Sequence, residues 1–129
     1  MAKTNESKIY DLLKANLKNV HFTRIESHTE NGIPDVNACY NGVEAWIELK
    51  ANLSKNLGLS KYQIVWIRRR IMSGGNVWIM NRAPLDKTLR IYKGTIVREP
   101  SFSFLGQPTL VFPDKIDWIL VKETLFPRR

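Results

Sequence analysis

The stretch Gly32-Ile33-Pro34-Asp35-Val36-Asn37-Ala38-Cys39-Tyr40-Asn41-Gly42-Val43-Glu44-Ala45-Trp46-Ile47-Glu48-Leu49-Lys50 decides how this chain is read. Gly-x-Pro-Asp predicts a tight turn that ends on Asp35. Val36 to Tyr40 follows with the alternation of a half-buried strand. Asn41-Gly42 is a strong hairpin signal, because both turn positions tolerate positive φ. The chain then returns from Val43 to Lys50 as a second strand. Strand side chains alternate faces, so Glu48 and Lys50 point one way while Ile47 and Leu49 point into a core. The hairpin therefore brings one aspartate, one glutamate and one lysine to the same sheet edge. Two carboxylates beside an ammonium suit a divalent cation and phosphate chemistry.

Pro34-Asp35 and Glu48-Leu49-Lys50 resemble the PD-(D/E)xK nuclease superfamily. The fuller pattern of Gly32-Ile33-Pro34-Asp35, Trp46-Ile47-Glu48-Leu49-Lys50 and Leu59-Ser60-x-x-Gln63 looks most like the VRR-NUC nucleases. Phage- and archaeal-type Holliday junction resolvases are close relatives in this respect. The resemblance runs from about Glu6 to Met80. It implies an α/β, restriction-endonuclease-like core with a central mixed β-sheet flanked by helices in the order αβββαβ. It also implies Mg²⁺ or Mn²⁺ at Asp35 and Glu48, helped by the Leu49 backbone carbonyl and by Glu6 from an N-terminal helix. Lys50 would orient the attacking water or stabilise charge on the phosphate, and Gln63 would stand near the metal and the nucleophile. By their local setting alone, Glu6 is an acid favoured by a helix N-terminal dipole, and Gln63 completes a capping box with Ser60. Both roles stay open for both residues.

The whole chain is compatible with that chemistry. Its 129 residues are expected to form one nuclease domain, with a core over about 4–82 and a C-terminal extension, 83–129, packed on it. Twenty Lys and Arg against twelve Asp and Glu leave a net charge of +8, which favours a polyanionic partner through phosphate contacts and counterion release. The single cysteine, Cys39, forms no internal disulfide. With no signal-like or membrane-length apolar run, the expected setting is a reducing cytoplasm, bacterial or phage-infected.

Residues 4–18 read as an amphipathic helix that buries Ile9, Leu12, Leu13 and Leu17. Residues 20–27 read as a strand of mixed polarity. His21 and His28 are expected at the surface rather than on a metal. Arg24, Ser27, His28, Lys55, Lys61, Arg68 and Arg69 are the candidate nucleic-acid contacts. A helix from Leu59-Ser60 to about Met72 buries Ile64, Ile67 and Ile71, with Arg68, Arg69 and Arg70 fanned around the rest. Val77 to Met80 reads as a strand buried on both faces. Thr88 to Tyr92 is expected to form a hairpin with Thr95-Ile96-Val97. Residues 98–113 combine four breaking residues, Pro100, Gly106, Pro108 and Pro113, with many apolar ones. They cover the core, form a dimer interface or wedge against bases, and core covering is the simplest of the three. A last helix, capped by Asp114 or Asp117, is expected to bury Ile116, Leu120, Ile119 and Leu125.

The functional expectation is a metal-dependent DNA endonuclease that selects branched, flapped or junction DNA. A chain without a separate base-reading domain fits structure selection better than sequence selection. A resolvase of four-way junctions would act as a C2 homodimer. A non-catalytic nucleic-acid-binding module on the same fold and a nuclease acting on RNA are the alternatives.

Overall fold

A computed structural model describes residues 3–26, 29–98 and 107–128. The elements run α1 (Asn5–Asn16), β1 (His21–Arg24), β2 (Val36–Tyr40), β3 (Val43–Lys50), α2 (Lys61–Met72), β4 (Val77–Arg82), β5 (Leu89–Lys93), a 3₁₀ turn (Gly94–Arg98), β6 (Leu110–Phe112) and α3 (Trp118–Leu125). The first six follow the expected order αβββαβ. The six strands form one sheet in chain order, β1 to β6. Only β3 and β4 run parallel, which makes the sheet mixed. A parallel neighbour requires a crossover connection, and α2 supplies it.

Two apolar layers sandwich the sheet. On one face Ile9, Leu13 and Leu17 of the α1 region and Val121, Leu125 and Phe126 of the α3 region pack on Val36, Ala38, Ala45, Ile47, Leu49, Trp78 and Met80. On the other, Ile67 of α2 meets Val77, Ile79 and Tyr92, with Leu57, Leu59 and Val97 closing the layer. Ile64 and Ile71 pack on the margin of this second layer, as their helical spacing predicts. Thr4 caps α1 by accepting from Ser7 N–H, and Asp117 caps α3 by accepting from Leu120 N–H.

Two expectations are corrected, and one segment takes a form that the sequence left open. Thr95-Ile96-Val97 is part of a 3₁₀ turn; β5 pairs instead with β4 and β6. β6 comes from the segment with no readable periodicity, where Leu110 and Phe112 pack partly on the core and Val111 faces outward. In α3 the buried side is Val121 and Leu125, while Ile119 (73 % exposed) and Leu120 (39 %) face away. The cap at Asp117 sets where the helix begins, and this phase turns Leu120 outward. The described part of β1 is also shorter than expected, four residues. Cys39 is free and half-buried, and His21 is exposed as expected.

Candidate active site

The β2–β3 hairpin builds the site through its register. Val36 pairs with Ile47, so continuing the ladder by one residue sets Asp35 across from Glu48. Directly opposed residues share a face and lie in side-chain contact. The next step back sets Pro34 across from Leu49. Proline has no N–H to donate to the ladder, and Leu49 N–H turns instead to Asp35 Oδ2 at 2.9 Å. The Asp35 carboxylate is thereby tied to the β3 backbone beside Glu48.

Glu48 is 1 % exposed, a burial that alternation in a half-buried strand did not foresee. Layers on both faces of β3 explain it. Burial, a hydrogen bond to Asp35 and the nearby Asp35 charge push its carboxyl up to about 10, against the smaller opposing pull of Lys50 and Arg24. Burial and the Asp35 charge thus favour the protonated form of Glu48, hydrogen-bonded to Asp35. Glu48 Oε2 is buried without a hydrogen-bond partner among the described residues. Facing carboxyls of this kind share either a proton or a cation. Hard acceptor oxygens with one orphaned lone-pair group fit Mg²⁺ or Mn²⁺.

Lys50 and Gln63 form the second half of the site. Lys50 Nζ donates to Gln63 Oε1 at 3.1 Å and reaches Gly58 O at 3.5 Å. Gln63 Oε1 also accepts from Ser60 N–H at 2.8 Å, and Ser60 Oγ accepts from Gln63 N–H at 3.2 Å. The capping box and the contact with Lys50 are thus one arrangement, in which the α2 cap fixes the amide that holds the ammonium. Gly32 locks the other side. With φ +89°, it lies so close to α2 that an added Cβ would sit 2.3 Å from Tyr62 O. No side chain fits there, so the loop leading to Asp35 and the first turn of α2 pack backbone to backbone.

The remaining expected residues fall into three groups. Arg24, at the end of β1, lies with its guanidinium 5.2 Å from the Tyr10 ring centroid and acts on the Glu48 carboxyl. Lys61 and Arg69 are exposed along a cleft beside α2, whereas Lys55 and Arg68 are exposed outside it. Ser27 and His28 lie outside the described residues. Glu6 sits half-buried in the first turn of α1. Among the described residues no three His, Cys, Asp or Glu side chains gather into a metal-holding group, so Glu6 does not join Asp35 and Glu48 in one.

Sequence reasoning passed over Asn81 and Asn52. Asn81, fully buried, is the register partner of Lys50. Its Oδ1 accepts from Asn52 N–H at 3.0 Å, and Asn52 Nδ2 donates to Leu57 O at 2.9 Å. This relay shapes the loop that brings Gly58 O to Lys50. A buried Asn at the end of an otherwise apolar strand was the available signal.

The fold has a counterpart among solved structures. The chain shares its fold with an archaeal Holliday junction resolvase. The match is to Hjc from the hyperthermophile Archaeoglobus fulgidus, with a TM-score of 0.55 and 18 % identity, over 74 % of this chain and 82 % of that one. The fold is accordingly restriction-endonuclease-like, a mixed six-stranded sheet with flanking helices. No family model and no curated protein matches the sequence. Among the described residues no helix is long and apolar enough to cross a membrane.

Proposed function

We propose that this chain is a metal-dependent endonuclease that hydrolyses phosphodiester bonds in structured DNA, with branched, flapped or four-way junctions as its substrates. The observation that carries the reading is the convergence of Asp35, Glu48 and Lys50 at one end of the β2–β3 hairpin. The net charge of +8 and the fold likeness to a junction resolvase support it. The finer likeness to VRR-NUC nucleases rests on Gly32-Ile33-Pro34-Asp35, Glu48-Leu49-Lys50 and Gln63. Residues 1–129 then act as one nuclease domain, and a four-way junction, with two symmetric cut sites, calls for a C2 dimer.

In this reading Asp35, Glu48 and the Leu49 carbonyl would hold Mg²⁺ or Mn²⁺, with Glu6 of α1 outside that group. The ion would supply a water of lowered pKa and neutralise charge on the scissile phosphate. Binding a cation there would displace the proton shared by Glu48 and Asp35. Lys50, steadied by Gln63, aims its ammonium at the attacked phosphate and offsets the negative charge that grows during attack. Arg24 adds positive charge on the same side.

The test is cleavage of labelled four-way, flap, duplex, single-stranded DNA and RNA substrates with Mg²⁺ against EDTA. Metal-dependent cutting of branched DNA, absent in Asp35→Ala and Glu48→Ala proteins that still bind, is the expected result. Wild-type cutting by both variants defeats the assignment. Preferential cutting of RNA would replace the substrate, and binding without cutting would make the chain a non-catalytic module. Sedimentation with and without junction DNA tests the dimer, which a monomer in both conditions excludes.

A further inference from the structure

The cleft that ends on Asp35 continues past it. That cleft, about 330 Å³, shares Glu30 and Asn31 with a larger one of about 910 Å³ alongside α2. Lys61, Tyr62, Trp66, Arg69 and Arg70 line the larger cleft, which reaches Gly75. Five basic or aromatic residues thus follow one another along a path that begins at the candidate catalytic acid.

Arg70 is the best-held cation on this path. Its guanidinium lies 4.6 Å from the Trp66 ring centroid and 5.1 Å from that of Trp46, and the two rings are 5.2 Å apart. Its stem packs on Gly75, where an added Cβ would come within 2.4 Å of Arg70 Cγ. Among the described residues no carboxylate forms a salt bridge with it. The C-terminal dipole of α2 accounts for a cation at this place, but not for a guanidinium immobilised on two indoles. Stacking leaves the planar fork of donors available while removing rotamer freedom that binding would otherwise cost. Tyr62, 54 % exposed and with Lys61 Nζ 5.9 Å from its ring centroid, adds an aromatic ring nearer the acid. A basic groove with exposed aromatic faces is how single-stranded nucleic acid is held without sequence preference.

We infer that the cleft along α2 seats an unpaired DNA strand leading away from the scissile phosphate, with Arg70 gripping a backbone phosphate and Tyr62 stacking on a base. The inference rests on the nuclease reading and narrows it to substrates with a single-stranded arm.

Anisotropy of a labelled flap DNA, titrated in EDTA so that nothing is cut, tests it on the full chain. Arg70→Ala is expected to weaken flap binding about fivefold or more and to reduce the salt slope by about 0.7. Arg70→Lys, which keeps the charge without the fork, is expected to fall between. Lys115→Ala serves as a control for loss of an exposed charge and is expected to bind like wild type. Duplex DNA of equal length should be affected less than the flap. Unchanged flap affinity and salt slope in Arg70→Ala, or an equal loss on duplex, overturns the inference. Should Arg70→Ala fail to fold, Tyr62→Ser decides: a loss of about fivefold supports the strand path, and wild-type affinity overturns it. A wild-type protein that binds the flap and never cuts with Mg²⁺ defeats the nuclease reading alone. Normal cutting with an unaffected Arg70→Ala defeats the cleft alone.

Discussion

The two faces of β3 and β4 share a backbone and a register, yet they are unlike in content. Toward α1 and α3 the strands present Ala45, Ile47, Leu49, Trp78 and Met80, all apolar and buried. Toward α2 they present Glu48, Lys50 and Asn81 among Trp46, Val77 and Ile79. Glu48 Oε2 and Asn81 Nδ2 are buried there without hydrogen-bond partners among the described residues. Each such group costs about 1–3 kcal/mol, while every fully buried aliphatic side chain on the other face contributes about 1.5–3 kcal/mol. One face stabilises the sheet so that the other can hold polar groups at a cost to stability.

Five substitutions at four positions would break or sharpen this contrast. The largest effect is expected from Lys50→Ala, which should lower the cleavage rate by about 10²–10³ with little change in the melting transition. A rate within a few-fold of wild type would remove Lys50 from the chemistry. Ile47→Ala, three residues away on the apolar face, should do the reverse, costing about 2–5 kcal/mol in denaturant unfolding while the folded fraction still cuts. Equal damage to activity per folded molecule would erase the difference between the faces.

Glu48→Gln comes next and has a sign that depends on pH. The native carboxyl is raised from 4.5 to about 10, so the native state keeps a proton that the unfolded chain sheds. Its contribution is fully present below 4.5 and is lost as pH rises toward 10. Metal-free wild type should therefore lose stability from pH 5 to pH 9, and Glu48→Gln should be the more stable protein at pH 8, by about 1–3 kcal/mol. A wild-type melting temperature that ignores pH, or a glutamine variant that melts lower, contradicts the proton-sharing pair. The smallest effect is expected for Gln63→Ala, which removes half of the capping box at about 1 kcal/mol and loosens Lys50. Cleavage should slow less than in Lys50→Ala, and Gln63→Glu should restore the cap more fully than the rate.

Much of this was legible in the chain because it is local. Asn41-Gly42 and the alternation around it define the hairpin, and Asn41 at φ 52° with Gly42 at φ 79° forms the expected turn. The spacing of Asp35, Glu48 and Lys50 follows from that hairpin, as the Ser60–Gln63 cap follows from its own four residues. What stayed hidden is non-local. Glu48 looks half-exposed until α2 is laid over it, and the double use of Gln63 appears only when β3 lies beside α2. β6 is unreadable alone because its three residues become a strand through pairing with β5. Leu120 was assigned inward from apolarity, which carries no phase without the cap at Asp117.

The sheet order has a consequence for how the site comes into being. Every strand pairs with its neighbours in the chain, so all but one of the pairings are antiparallel steps between consecutive strands. The exception joins β3 to β4 across α2, with the longest sequence separation in the sheet, and its entropy of closure is the largest. Lys50 and Asn81 stand on either side of that junction. Contacts that close long loops limit folding rates, so during folding the β3–β4 pairing that sets Lys50 against Asn81 is expected to form late, after the hairpin has already brought Asp35 to Glu48.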